Sequence, residues 1–399
     1  MPPLRSRTGC APCKRRKIKC GEERPSCSNC TSYRDTCIYV ASHDSRRSPR
    51  DDRLSAASTP QPTPQAQPAH ARTIEESAYL TDLALLHHFC TSTYLGISNS
   101  PTVHRLMQGP VVHLALEHPF LRYSILALAA LHKVHLTSGA TESEENKHFR
   151  RISTTYHNIA LRTLLDSNTS LEAAVQASPS AAFCFTTITS IYSLASIEPL
   201  SESGMSQENT LYLLTHWIKL THGNTSILAT KDVYDRVRNG PLADIFTGHT
   251  DPKDWSLPGD INAALEAAKC WSGNGHTGED VEALEAALDL LKLVYFKFSE
   301  SYKNPFPLNL ASETGIVFSW PARVSVRYLE LLENRDPRAL VVLAYFLVPL
   351  HWMSARYWWV GERASFLLTL LVSLIKTHPL RARIEWAKAQ ISPKLVVDK

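Results

Sequence analysis

The chain has 399 residues and a formal net charge of +4, from 42 lysines and arginines against 38 aspartates and glutamates. Residues 1–50 hold twelve basic and four acidic residues, so this end has a net charge of +8 and the remaining residues one of −4. No segment reaches the roughly 18 unbroken apolar residues that a membrane-spanning helix needs, which excludes such a helix. The basic charge is local, as expected of a nucleic-acid footprint.

The first element is a cysteine repeat. Residues 10–37 form two halves that each read C-x2-C-x6-C, and the six cysteines are Cys10, Cys13, Cys20, Cys27, Cys30 and Cys37. One tetrahedral zinc ion would bind four of these sulfurs and leave two unexplained. Two zinc ions need eight metal–sulfur bonds from six sulfurs, which requires that two thiolates each bridge both ions.

The repeat indicates that the bridging residues are the first cysteine of each half, Cys10 and Cys27. Two further cysteines complete each metal site: Cys13 and Cys20 at the first ion, and Cys30 and Cys37 at the second. Such all-sulfur sites have no open position for water, so we expect both ions to be structural. Six thiolates and two zinc ions carry a net charge of −2, which nearby cations offset.

A disulfide module and a thioredoxin-like redox site are the alternatives for clustered cysteines. The chain begins MPPLRSRTGC, without the apolar core of a signal peptide, and the other three cysteines (Cys90, Cys184 and Cys270) are scattered. No strand–helix pattern surrounds either C-x2-C pair. A metal site is therefore the favoured interpretation.

The spacing resembles that of the fungal zinc binuclear cluster, the DNA-binding module of a family of transcription regulators. The resemblance covers residues 10–37 and includes all six cysteines. It implies that a basic helix after the second cysteine, KRRKIK at 14–19, enters the major groove of DNA and recognises a CGG-like triplet. Arg16 and Lys17 match the base-reading pair by position, and Pro25 matches the proline between the two halves.

The basic residues themselves support this interpretation: Lys14, Arg15, Arg16, Lys17 and Lys19. Lysine and arginine neutralise phosphates and are the usual readers of guanine edges. A solvated charge run or a nuclear import signal is a simpler explanation, but a metal-fixed helix gives these charges a defined geometry. We expect the five residues to form the DNA-binding surface and the protein to act in the nucleus.

Residues 41–73 contain five prolines, many serines, alanines and glutamines, and almost no large apolar residues. This composition is typical of a flexible, partly extended linker. Leucine heptads are missing here, so a coiled coil is not predicted. The predicted domains are a zinc cluster module at 1–40, a disordered linker at 41–73 and an all-helical regulatory domain at 74–399.

From Thr73 onward apolar residues recur at helical spacing, as at Leu80, Leu83, Leu86 and Cys90. Alternating strand patterns with hairpin turns are missing. The predicted helices lie at about 76–94, 119–137, 142–165, 180–197, 206–230, 279–300, 322–334, 338–358 and 360–376. The predicted fold is thus a small metal-stapled module with short helices, followed by a large all-α domain.

This helical domain resembles the regulatory domain of the sterol uptake control proteins in four patches. They are LTDLALLHHFCTSTYLGIS (80–98), WIKLTHGNTSIL with NGPLADIF (217–246), FSWPARV (318–324) and DPRALVVLAYFLVPLHWMSARYWWVGERASFLLTLL (336–371). The family usually has Arg-Gly where this chain has His222-Gly223. The resemblance implies an all-helical domain that binds a sterol or another apolar metabolite.

One stretch, AAFCFTTITSIYSLAS at 181–196, mixes small, aromatic and hydroxyl residues. It is typical either of a pocket with apolar walls or of a buried helix whose serines and threonines bond back to the backbone. We favour the buried helix, and the sequence does not indicate which residues would bind a ligand. Trp352, Trp358 and Trp359 are expected in the core or at an interface.

No G-x-S-x-G, H-E-x-x-H or P-loop motif occurs, so the chain is not expected to be an enzyme. The predicted function is a sequence-specific, DNA-binding regulator of transcription. Two hypotheses for the helical domain stay open. It senses a sterol or another apolar metabolite and so controls sterol or secondary-metabolite genes, or it only forms a homodimer or recruits protein partners.

Overall fold

The computed structural model divides the chain into two compact units, Met1–Ala66 and Gln67–Lys399, which we describe separately. It describes residues 8–16, 18–24, 26–33, 36–39, 69–137, 143–165, 171–198, 207–246, 255–269, 271, 278–303, 312–376 and 378–391. No residue in these ranges lies in a strand. The predicted fold, a small cysteine-rich module followed by a large all-α domain, is confirmed.

The first unit contains two short helices, α1 (Ala11–Arg16) and α2 (Ser28–Ser32). Each begins directly after the cysteine that opens one half of the repeat. The backbone N–H of Ala11 donates to the carbonyl oxygen of Ile38 at 2.7 Å, which ties the start of α1 to the end of the second half.

The first part of the second unit runs from α3 to α9. The helices are α3 (Ala69–Thr91), α4 (Pro101–Gln108), α5 (Pro110–Glu117), α6 (Pro119–Thr137), α7 (Glu144–Leu165), α8 (Leu171–Ala177) and α9 (Pro179–Ala195), with a 3₁₀ turn at Thr93–Gly96. Four of them start at a proline, whose fixed φ suits the first helical turn and whose missing N–H would have no partner there.

The second part of this unit runs from α10 to α18. The helices are α10 (Gln207–Ile227), α11 (Lys231–Arg238), α12 (Gly259–Ala268), α13 (Gly278–Lys303), α14 (Glu313–Arg323), α15 (Val326–Glu333), α16 (Pro337–Trp352), α17 (Arg363–Leu374) and α18 (Glu385–Ile391). Two 3₁₀ turns lie at Ala243–Phe246 and Pro379–Ile384. Ser312, Ser325 and Asp336 cap α14, α15 and α16 by accepting a backbone N–H.

Helix α16 lies at the centre of the core of the second unit. Its residues 338–350 are all buried, and α13 and α17 pack against it. Helix α14 packs on both α10 and α13, while α9 contacts both α6 and α10. An apolar run of this kind forms a core helix in a domain of this size. In the part of the chain that is described, no helix is long and apolar enough to cross a membrane.

Tryptophans anchor this core through their rings and their N–H groups. Trp217, Trp320 and Trp359 have no exposed surface. Each indole N–H donates to a backbone carbonyl oxygen at 2.8–3.0 Å, so burial of these rings leaves no donor unsatisfied. Trp352 and Trp358 are half-buried and pack against the same core. The C-terminal tryptophans are therefore core residues, as expected.

Most predicted helices agree with the structure, but some boundaries are wrong. The predicted helix at 322–334 is two helices, because Ser325 has extended backbone and caps α15 through the N–H of Tyr328. Helix α3 begins at Ala69, before the predicted helix start at 76, and residues 41–68 of the predicted linker lie outside the described residues. In the second unit, α4, α5, α8, α11, α12 and α18 were not predicted, and neither was α14 apart from its last two residues.

Candidate metal centre and nucleic-acid interface

The first unit gathers the six cysteine sulfurs into one cluster. In each of two groups the four sulfur atoms lie within 4.8 Å of one another: Cys10, Cys13, Cys20 and Cys27, and Cys10, Cys27, Cys30 and Cys37. Five of the cysteines are buried and Cys37 is half-buried. These are the two sets of four that the bridged arrangement predicts, and Cys10 and Cys27 belong to both.

The distances between the sulfur atoms suit tetrahedral zinc. The Sγ atom of Cys10 lies 3.7 Å from those of Cys20 and Cys27, and 3.6 Å from that of Cys30. A tetrahedron with Zn–S bonds of about 2.3 Å has edges of about 3.8 Å, whereas a disulfide needs an S–S distance of about 2.05 Å. The donor set therefore fits two zinc ions that share the Cys10–Cys27 edge.

The two halves of the repeat have the same local hydrogen bonds. The backbone N–H of Cys10 donates to the Sγ atom of Cys20 at 3.4 Å, and that of Cys27 donates to the Sγ atom of Cys37 at 3.3 Å. In both halves the carbonyl oxygen of the first cysteine then accepts an N–H from the helix that follows. The sequence repeat is therefore a structural repeat, in which backbone donors are aimed at sulfur.

Burial and hydrogen bonding shift the pKa values of the clustered thiols in opposite directions. Burial raises the pKa of Cys13 to about 12 and also raises that of Cys30. Backbone N–H donors lower the pKa of Cys27 and of Cys37. Because metal binding requires thiolates, two divalent cations would supply the charge that stabilises all six sulfurs in the ionised form.

A tight turn at Gly21 and Glu22 follows Cys20 and connects the halves. Glu22 has a φ of +64°, which is uncommon for a residue with a side chain, and its N–H donates to the Sγ atom of Cys20 at 3.4 Å. A Cβ on Gly21 would lie 2.3 Å from the carboxylate of Glu23. That carboxylate accepts the N–H of Ser28 at 3.0 Å, at the start of α2, and this bond lowers the pKa of Glu23.

Helix α1 presents basic side chains to solvent. The described basic residues of this segment are all exposed: Lys14, Arg15, Arg16 and Lys19. Three of them form the last turn of α1. Lys17 and Pro25, which the sequence also singles out, lie outside the described residues. A basic surface next to the sulfur cluster has the sign of charge that suits both the net −2 cluster and a nucleic acid.

The predicted basic helix at 14–19 starts and ends too late. Helix α1 covers Ala11–Arg16, and the N–H of Ile18 donates to the carbonyl oxygen of Cys13 at 3.2 Å. The helix ends here because the chain has to turn for Cys20 to reach the cluster. The basic residues therefore lie on a short helix and on the turn that leaves it.

Two tyrosines, neither of them predicted from the sequence, support this surface. The guanidinium of Arg16 lies over the ring of Tyr33, 4.8 Å from its centroid, and that of Arg24 lies 4.5 Å from the centroid of Tyr39. The Tyr39 hydroxyl donates to the carbonyl oxygen of Glu23 at 3.1 Å. In the sequence, the only sign that Tyr33 and Tyr39 belong to this surface is that they flank Cys37, the last cysteine of the repeat.

Helix α9 in the second unit contains the stretch at 181–196. Ser190 has no exposed surface and Ala195 almost none. The hydroxyls of Thr186, Thr187 and Ser190 each donate to the carbonyl oxygen four residues earlier, at 2.8–3.1 Å. For these residues the favoured interpretation, a buried helix with hydroxyls bonded to the backbone, is correct.

Comparison with known proteins agrees with this geometry. Residues 8–47 match the fungal Zn(2)-Cys(6) binuclear cluster domain, and residues 84–237 match the fungal specific transcription factor domain. A Zn(2)-C6 fungal-type transcription factor of Gibberella zeae is 24% identical, over 94% of this chain and 84% of its own length. The Zn(2)-C6 fungal-type transcription factor afumD of Aspergillus fumigatus is 30% identical over 131 residues, and the match spans only 32% of that relative's length.

The chain therefore carries, at 8–47 and 84–237, two domains of the fungal transcription factors of the Zn(2)-C6 type. The cluster domain of this family binds two zinc ions, which confirms the predicted metal and its number. The matching families are transcription factors and not enzymes, which confirms the predicted class of protein. Sterol uptake control protein 2 of Candida albicans is 50% identical over 36 residues, which is 9% of this chain and 5% of that protein.

Proposed function

We propose that the chain is a nuclear, sequence-specific DNA-binding regulator of transcription by RNA polymerase II. One observation carries this proposal: a cluster of six sulfurs that fits two zinc ions holds a short helix whose basic side chains face solvent. A helix fixed by metal presents its charges without a further ordering cost, which favours specific binding. The residues proposed to contact DNA are Lys14, Arg15, Arg16, Lys17 and Lys19.

Within this surface Arg16 and Lys17 are proposed to read base edges, and the target is proposed to contain a CGG-like triplet. Arginine and lysine form paired hydrogen bonds with the O6 and N7 atoms of guanine. Lys14, Arg15 and Lys19 are proposed to contact phosphates, which position the helix without reading sequence. The six cysteines are proposed as the ligands of the two zinc ions.

The test is the affinity of the full chain for fluorescent duplexes that carry a CGG triplet or a scrambled one, measured across a range of salt concentrations. The expected result is a clear preference for CGG, with affinity falling as salt rises because phosphate contacts release counterions. Equal affinity for both duplexes at every salt concentration would contradict sequence-specific recognition.

We also propose that the helical domain is the sensing part of this regulator, and that a sterol or another apolar metabolite controls its output on sterol or secondary-metabolite genes. What supports this is a cleft of about 480 Å³ between α7, α9 and α10. A volume of this size lies in the range of small-molecule sites. The short match to sterol uptake control protein 2 carries no argument for a sterol, because it covers 9% of the chain.

A second candidate role of the helical domain is homodimer formation. On α3, Tyr79, Leu80 and Leu83 are 63%, 58% and 45% exposed. Neighbouring apolar side chains on an exposed helix are typical of a protein-binding surface. Light scattering of the full chain and of the Leu80→Ser, Leu83→Ser double variant tests this role. A monomeric native chain would rule it out.

A further inference from the structure

The cleft between α7, α9 and α10 is lined by both apolar and polar side chains. Five aliphatic side chains line it: Leu131, Leu161, Ile197, Leu213 and Leu220. Thr189 and Ser193 of α9 line the same space. Ser190 and Ala195 lie on the opposite, core-facing side of this helix. Helix α9 thus borders the cleft with the buried Thr189 and Tyr192 and the half-buried Ser193.

Thr189 provides a buried polar group without a partner. Its side chain is only 4% exposed, and its hydroxyl has no hydrogen-bond partner among the residues that the structure describes. Thr187, two positions earlier on the same helix, instead donates to the carbonyl oxygen of Phe183 at 2.8 Å. A buried hydroxyl that is left unpaired costs free energy, so the geometry favours a partner that enters from the cleft.

An aromatic pair forms one wall of the cleft. The rings of His157 and Tyr192 are stacked, with centroids 4.1 Å apart and an angle of 18° between their planes. Ser153 contacts this wall, since its hydroxyl donates to the carbonyl oxygen of Ala127 at 3.0 Å and lies 3.3 Å from the Tyr192 hydroxyl. Burial lowers the pKa of His157 to about 4, so the ring is neutral at pH 7. The wall is therefore rigid and uncharged.

The charged groups of the cleft compensate one another. Arg150 and Glu198 both line it and form an ion pair with each other. A charged ligand would have to lose part of its hydration against the aliphatic side chains, and Arg150 and Glu198 already neutralise each other. The electrostatics of the cleft thus favour a neutral occupant.

We propose that this cleft binds a small, uncharged ring compound that carries one hydroxyl or carbonyl oxygen. The oxygen of the ligand bonds the Thr189 hydroxyl, and its rings lie against the aliphatic side chains and the His157–Tyr192 pair. This proposal rests on the proposed sensing role of the helical domain and names the site and the class of ligand for it.

The test uses 2-naphthol as a fluorescent probe on the full chain, with naphthalene-2-sulfonate as its charged counterpart. Saturable binding of 2-naphthol at one site per chain is expected, and the sulfonate should bind at least tenfold more weakly. Thr189→Val keeps the shape of the side chain and removes the hydroxyl, so it should raise the Kd about five- to tenfold. Ser193→Trp fills the cleft and should abolish binding.

Thr187→Val is the matched control, because it removes a hydroxyl of the same helix that bonds the backbone and does not line the cleft. It should leave the Kd unchanged. Circular dichroism establishes that each variant is folded. Equal binding of the sulfonate, or binding that survives Ser193→Trp in a folded protein, would overturn the proposal.

DNA binding is measured on the same protein preparations, so that failure of the cleft proposal can be told apart from failure of the proposed DNA recognition. If the chain prefers the CGG duplex but binds no 2-naphthol, the cleft proposal fails and the regulator stands. If 2-naphthol binds at Thr189 but the duplexes are not distinguished, the proposed DNA recognition fails and the cleft stands.

Discussion

The sulfur atoms of Cys10 and Cys27 lie 3.7 Å apart, although seventeen positions separate the two residues in the chain. Each residue opens one half of the repeat, and each belongs to both groups of four sulfurs. Two tetrahedra of zinc ligands that share an edge place their common sulfurs at this distance. The relationship therefore makes the two metal sites interdependent.

Removal of a shared sulfur is expected to empty both metal sites. The wild-type chain should hold two zinc ions, Cys10→Ala and Cys27→Ala should hold none, and Cys37→Ala should keep part of the metal because it belongs to one group only. Elemental analysis of dialysed protein measures the metal content. One zinc ion per wild-type chain would contradict the bridged arrangement.

Arg16 and Lys17 are expected to determine which triplet is bound. Arg16→Ala or Lys17→Ala should weaken binding to the specific site by roughly 1–3 kcal/mol and reduce discrimination between triplets. Arg105→Ala removes an exposed arginine from the helical unit and serves as the control. Fluorescence anisotropy with specific and random duplexes provides both affinities. An equal loss on the two duplexes would show that the residues only contact phosphates.

The Tyr33 ring is expected to position Arg16 for DNA binding. The guanidinium lies 4.8 Å from the ring centroid, and an exposed contact of this type is worth about 0.5–1 kcal/mol. Tyr33→Ala should therefore lower the affinity for the specific duplex two- to fivefold. Tyr33→Phe keeps the ring and should behave as wild type. If both variants bound as tightly as wild type, the ring would have no positioning role.

Two glycines in the helical unit are expected to respond to alanine in opposite directions. A Cβ on Gly96 would lie 2.6 Å from the ring of Trp358, which stacks on His132, so Gly96→Ala should destabilise the unit by roughly 1–3 kcal/mol. Gly223 lies inside α10 with no atom within 4 Å of its Cβ position, so Gly223→Ala should stabilise by about 0.5–1 kcal/mol. Urea unfolding measures both. If Gly96→Ala had the same free energy of unfolding as wild type, the Trp358 ring would have moved aside at no cost.

Stability is expected to fall when the pH drops from about 6.5 to about 4. Burial lowers the pKa of His157 and of His132 to about 4, while the unfolded chain has ordinary histidines with a pKa near 6.5. Between these values the unfolded state binds more protons, so each histidine costs up to about 3 kcal/mol at the acidic end and nothing above pH 6.5.

The replacement of His157 by phenylalanine measures one of these contributions. His157→Phe keeps a ring against Tyr192, removes the titrating group and should make the loss of stability between pH 6.5 and pH 4 smaller. His87→Phe changes an exposed histidine and is the control. Urea unfolding at several pH values tests the effect. The same pH dependence in His157→Phe and in wild type would show that His157 does not contribute.

The cysteine cluster was predictable because the number of cysteines limits how two tetrahedral zinc ions can be bound. Six sulfurs in two equal halves leave few ways to complete two tetrahedral sites, and the repeat suggests the first cysteine of each half, Cys10 and Cys27, as the shared pair. The contact between Arg16 and Tyr33 was not predictable in the same way. It depends on the turn at which the chain leaves α1, and hydrophobic or charge patterns do not encode that turn.

In the helical unit, the long helices were predictable from the sequence, but the face that each helix buries was not always predictable. The spacing of Leu80 and Leu83 predicts a helix, and α3 is one, yet both side chains are exposed while Leu85 and Phe89 are fully buried. The spacing of apolar residues indicates that a helix is amphipathic, but the packing of neighbouring helices determines which part of its apolar surface is covered. For the same reason, the sequence allowed a pocket along 181–196 but did not show which face of that helix would border it.

Helix α1 has six residues, so it is about 9 Å long, close to the rise of three base pairs at about 3.4 Å each. A helix this short reaches no further along the groove than a triplet. Any one triplet recurs about once in 64 positions of random DNA, which is far too often to mark a gene among the competing sites of a genome. The information needed to find one promoter must therefore come from a second recognition event, either a second copy of this module at a fixed spacing or another DNA-bound protein.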